Sequence, residues 1–61
     1  MILTIKNKYS KTQIIKLINT LNLNFIILNN KLIFTHTINN YNHKQITKLL
    51  NKNYLKYIIT N

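Results

Sequence analysis

The second half of this chain repeats the first. With Tyr9 laid on Tyr41, Gln13 falls on Gln45, Ile14 on Ile46, Lys16 on Lys48 and Leu17 on Leu49. Asn7 then meets Asn39, Asn19 meets Asn51, and Leu23, Ile26 and Ile27 meet Leu55, Ile58 and Ile59. Two copies are too few for a solenoid, which needs at least about three stacked units. They suit two pseudo-symmetric units, residues 1–29 and 33–61, folded together as one domain spanning 1–61.

Both halves carry the same local signals. Ile2-Leu3-Thr4-Ile5 is rich in β-branched residues and is followed by Lys6-Asn7-Lys8, the pattern of a strand that ends. Ser10-Lys11-Thr12-Gln13 reads as a capping box: a cap hydroxyl accepts from the amide three residues on, and the Gln side chain reaches back. Tyr9, just before the cap, is placed to staple onto Ile14. Ile14, Leu17, Ile18 and Leu21 fall at i, i+3, i+4 and i+7, one face of a helix. Asn22 and Asn24 are candidates to end it, since Asn tolerates left-handed backbone and the chain has no Gly. Phe25–Leu28 is the next strand. The second half predicts a strand over Leu32–Ile38 and a helix with Asn42 as cap, Gln45 as its partner and Tyr41 as staple to Ile46. Its last strand is expected over Leu55–Ile59.

Asn29-Asn30 separates two apolar runs, and Asn is the non-Gly residue best suited to a tight hairpin. The order is therefore β-α-β-β-α-β. This is the split-βαβ, ferredoxin-like arrangement of the α+β class: a four-stranded antiparallel sheet with both helices on one face. If Leu23, Phe25, Ile27 and their mates Leu55, Tyr57 and Ile59 face the helices, then Ile26, Leu28 and Ile58 point outward. Strands apolar on both faces are usually covered on both, so these three residues are the expected protein interface. The parity of the first and third strands stays open, because Ile2, Leu3 and Ile5 fit either face.

Composition matters for what covers that face. The chain lacks Ala, Cys, Asp, Glu, Gly, Pro, Arg, Val and Trp. All of these except Pro need a guanine in every standard codon, and every residue present except Met can be written without one. Such a skew is expected of an organellar gene; a deliberately reduced alphabet would leave the same trace. The same bias bears on charge, which is +9 from nine Lys with no Asp or Glu. Part of that is codon drift. A chain so charged still repels itself, and an anionic partner relieves the repulsion. A domain of about 60 residues buries only about 60% of the surface its unfolded chain exposes, so a permanent partner is expected to stabilise it.

The longest apolar run, Phe25–Leu28, is far below the roughly 18–20 residues that span a bilayer, so no transmembrane segment is expected. No signal-peptide core follows Met1. Catalysis is not expected either. No acid is present to act as proton donor, orienter or metal ligand, no Cys as nucleophile, and no Gly to build a phosphate loop. His36 and His43 have no carboxylate or thiolate to complete a metal site, and no cofactor is expected.

The candidate RNA contacts are basic. Lys6, Lys8 and Lys11 flank the first helix start and Lys44 the second, where free amides attract phosphate. Lys16, Lys48 and Lys52 lie off the apolar stripes, and Tyr54 is a candidate to stack a base. The β-α-β-β-α-β order resembles the RNA recognition motif at the level of fold alone. That family's third-strand signature requires Gly and stacking aromatics, and Lys31-Leu32-Ile33-Phe34-Thr35-His36 supplies only Lys31 and Phe34. The combined expectation is a structural, ribosomal-RNA-binding protein of a mitochondrial ribosome. It would be organelle-encoded, reside in the matrix, and be held by ribosomal RNA and neighbouring ribosomal proteins. The alternative is an accessory subunit, without a membrane span, of a respiratory or ATP-synthase complex.

Overall fold

A computed structural model describes residues 1–60. Alternation along the strands fixes what the sequence left open. In β1 (Ile2–Ile5), Leu3 and Ile5 are buried, while Ile2 and Thr4 lie on the opposite face. In β3 (Lys31–Phe34), Leu32 and Phe34 are buried, and Lys31 and Ile33 face away. With β2 (Phe25–Leu28) and β4 (Tyr57–Thr60) these make one sheet in the order β2-β3-β1-β4, antiparallel throughout. The helices α1 (Lys11–Asn19) and α2 (Asn40–Lys52) pack on one face of it. The ferredoxin-like α+β fold expected from the repeat is the fold observed.

The core is built from matched pairs. Ile14 and Ile18 of α1 correspond to Ile46 and Leu50 of α2, and all four are fully buried over Leu3, Ile5, Leu32 and Phe34. Leu3 and Leu32 are direct cross-strand partners. Around them, Ile5 N donates to Asn30 O at 2.7 Å and Phe34 N donates to Met1 O at 3.1 Å. These two bonds exchange under a pseudo-twofold axis through the Leu3–Leu32 pair. Under it Leu3 matches Leu32 and Ile5 matches Phe34, three residues out of step with the Tyr9–Tyr41 alignment. The link from β3 to α2 is that much longer than the link from β1 to the first helical turn. Burying each Leu or Ile fully stabilises the fold by about 1.5–3 kcal/mol, against an ordering cost of about 1–2 kcal/mol for every residue's backbone.

Several expected details are corrected. Ser10 does not cap α1: its own backbone is already helical (φ −89°, ψ −5°) and its side chain makes no capping bond. The chain enters α1 through a 3-10 turn, Lys8–Ser10, and the cap is Asn7, whose Oδ1 accepts from Tyr9 N at 3.0 Å. The cap of α2 is Asn39, not Asn42, because Asn39 holds extended backbone and its Oδ1 accepts from Asn42 N at 2.8 Å. Gln45 does engage Asn42, side chain to side chain at 3.2 Å. Asn7 and Asn39 are aligned by the repeat, so the true caps were a matched pair in the sequence. Neither Tyr9 nor Tyr41 staples its helix; both rings are largely exposed.

The third strand stops at Phe34 instead of Ile38, where Thr35 gives both its N–H and its hydroxyl to Asn24 O and the chain bends away. The fourth begins at Tyr57 because Leu55 still belongs to the helix end. Leu55 N donates to Leu50 O and Tyr54 N to Asn51 O, a Schellman closure. Asn22 and Asn29 adopt positive φ (56° and 55°), as expected for a helix stop and a hairpin. Tyr54, which the repeat places on Asn22, does so too (φ 57°).

Candidate nucleic-acid interface

The helix layer brings together residues that sit far apart in sequence. A shallow groove of about 280 Å³ runs between the helices, lined by Thr20 and Leu21 at the end of α1 and by Gln45, Lys48, Leu49 and Lys52 of α2. A second depression on α2 is lined by Tyr41, Lys44, Gln45 and Lys48. Lys44, Lys48 and Lys52 therefore form one exposed row, each a turn from the next and about 6 Å apart along the axis. Like charges at this spacing cost an isolated helix about 0.2–0.5 kcal/mol per pair. The chain has no Asp or Glu to offset that cost. Lys16 is exposed one turn before Thr20.

Lys6, Lys8 and Lys11 are elsewhere. They surround the 3-10 turn that opens α1, with Lys8 Nζ 5.3 Å from the centre of the Tyr9 ring. Because β1 and β3 are antiparallel, the helices that follow them start at opposite ends of the sheet. The two helix starts do not form one continuous surface, and Lys44 belongs with the α2 row rather than with Lys8 and Lys11. Tyr54 stands just beyond Lys52, 91% exposed and held in left-handed backbone. For a residue with a Cβ that conformation costs roughly 1–2 kcal/mol. Nothing in the fold packs against the ring to account for it.

The other side of the sheet is different in character. Ile26, Leu28 and Ile58 are exposed there at 55%, 56% and 46%. The strand register sets them in two rows, Ile26–Ile33–Ile2–Thr60 and Leu28–Lys31–Thr4–Ile58. Every aromatic residue of the strands, Phe25, Phe34 and Tyr57, is on the helix side. The open face is aliphatic, with no ring on which a base could stack, and Lys31 lies within it. Lys56 joins Lys6 at its end, where Lys6 N donates to Lys56 O at 3.3 Å.

Sequence reasoning missed Lys31, Lys56, Thr20 and Gln45 as surface constituents. Lys31 needs the parity of the third strand, and Gln45 matches a capping motif in the sequence. His36 lies in the bend after β3 and His43 in the first turn of α2, and among the described residues no three potential metal ligands cluster. No helix among the described residues is long and apolar enough to cross a membrane. Compared with protein-family models, with curated proteins and with solved structures, the chain matches none.

Proposed function

We propose that this chain is a non-catalytic, RNA-binding structural subunit of a mitochondrial ribosome, encoded and retained in the organelle. Its helix layer lies against ribosomal RNA and its sheet face against neighbouring ribosomal proteins. The observation that carries this reading is the segregation of the two surfaces. Lys44, Lys48, Lys52 and Lys16 stand on the helix layer, while the opposite face is mainly aliphatic. A row of Lys beside a shallow groove suits a phosphate backbone, which is held by charge and without reading sequence. Tyr54 at the end of the row adds a ring for an unpaired base. The guanine-free alphabet supports the organellar setting.

Sedimentation of organelle lysates tests the reading. The chain is expected to travel with a ribosomal subunit at moderate salt and to leave it as salt rises. A chain that stays at the top of the gradient at moderate salt contradicts it. The aliphatic sheet face favours a second reading, an accessory subunit of a respiratory or ATP-synthase complex. Native gels of membrane complexes, run beside the ribosome gradients, separate the two.

A further inference from the structure

The two edges of the sheet are not equally protected. On β4, Ile58 is exposed on the open face, but Tyr57 and Ile59 are half-buried, Thr60 is polar, and Lys56 guards the entry. On β2 every residue is apolar; Phe25 is half-buried, but Ile26 and Leu28 are exposed on the open face and Ile27 on the helix side. The strand carries no Lys, no Pro and no polar residue, the usual devices that keep a sheet edge from pairing.

The hydrogen-bond register shows what this edge offers. Phe34 N donates to Met1 O and Ile5 N to Asn30 O, so Phe34 and Leu32 direct their peptide groups toward β1. Lys31 and Ile33 then direct theirs toward β2, where they meet Leu28 and Ile26. That leaves Phe25 and Ile27 with N–H and C=O groups aimed outward. These are alternate residues of an antiparallel ladder with the next strand missing.

We propose that the β2 edge is a docking site for an extended strand of a partner protein, one that alternates apolar residues with Asp or Glu. Charge decides the occupant. The chain bears nine Lys and no acid, so a second copy would bring +9 against +9, whereas an acidic strand meets Lys31 on the open face beside Leu28. The docked strand continues the ladder through Phe25 and Ile27, sets its apolar residues beside those two on the helix side, and carries its acids past Leu28 toward Lys31 on the open side. This inference does not depend on RNA binding by the helix layer.

The test titrates the full chain with two synthetic peptides of about ten residues, long enough for one strand. One alternates Val with Glu and the other Val with Lys. The Glu peptide is expected to bind about tenfold or more tightly than the Lys peptide, and to slow amide hydrogen exchange at Phe25 and Ile27. Ile27→Pro removes an outward N–H and the side chain beside it, at a position where an edge strand tolerates proline, and is expected to abolish peptide binding with the β2–β3 ladder intact. If that variant unfolds, the exchange pattern of the unsubstituted chain still decides. Equal binding of the two peptides, or no protection at Phe25 and Ile27, overturns the proposal. So does protection at those amides that grows with protein concentration in the absence of peptide, which would mean that a second copy occupies the edge.

Discussion

The two halves of the molecule agree inside and diverge outside. Ile14 and Ile46, Ile18 and Leu50, and the capping pair Asn7 and Asn39 play the same parts on the two sides of the pseudo-twofold axis. The surfaces do not match. α2 has 13 residues and α1 has 9; α2 presents three Lys in a row, and the residue over Asn22 is Tyr54. Packing density punishes change at interior positions, while solvent does not, so the outer positions are where the halves were free to diverge. The lesson is that α2, not the two helix starts together, gathers exposed lysines into one row.

The largest expected effect lies where the halves agree. Ile14→Ala and Ile46→Ala should each cost about 2–5 kcal/mol, comparable to the roughly 3–5 kcal/mol that the core of so small a domain supplies. Both variants are expected to be largely unfolded by far-ultraviolet circular dichroism. If only one unfolds, the two units are not energetic equivalents.

The next effect separates the halves. Replacing Lys44, Lys48 and Lys52 together by Ala should weaken RNA binding by about tenfold or more, and should flatten the salt slope by about 2, at roughly 0.7 per phosphate contact on single-stranded RNA. Replacing Lys6, Lys8 and Lys11 together should change the slope by much less. Filter binding across a salt series measures both.

Caps give a smaller contrast. Asn39→Ala should destabilise by about 1 kcal/mol, and Asn7→Ala by about 0.5 kcal/mol because it closes only a 3-10 turn. Urea midpoints report the difference. An effect of similar size but opposite sign lies at the left-handed pair. Tyr54→Gly should stabilise by about 0.5–1 kcal/mol, since Gly pays no Cβ penalty there, while Asn22→Tyr should destabilise. If Tyr54 stacks a base, the more stable Tyr54→Gly protein binds RNA less well. Thermal midpoint and affinity then move in opposite directions.

Much of the fold was legible because the repeat constrains what hydrophobic pattern alone does not. The element order follows from it, while the hairpin was marked by Asn29-Asn30 and the outward placement of Ile26, Leu28 and Ile58 by strand alternation. The caps were misplaced because Ser10 fits a local motif better than Asn7. The backbone at Ser10 is already helical, a fact that no side-chain pattern records. The parity of β1 and β3 was hidden because Ile2, Leu3 and Ile5 are equally apolar, and only their partners across the sheet distinguish them. The groove was hidden for the same reason: Thr20 and Lys52 meet through the packing of α1 on α2, a relation with no local signature. Tyr54 stands out in the sequence for its ring, and its left-handed backbone is hinted at only by its alignment with Asn22.

Backbone amide shifts on titrating the isotope-labelled chain with a ribosomal RNA fragment probe the central claim most directly, because they report which face is touched. The account predicts shifts at Thr20, Gln45, Lys48, Lys52 and Tyr54, with Ile2, Thr4, Lys31 and Ile33 unmoved. Shifts concentrated on those four sheet residues, or none anywhere at moderate salt, would contradict it.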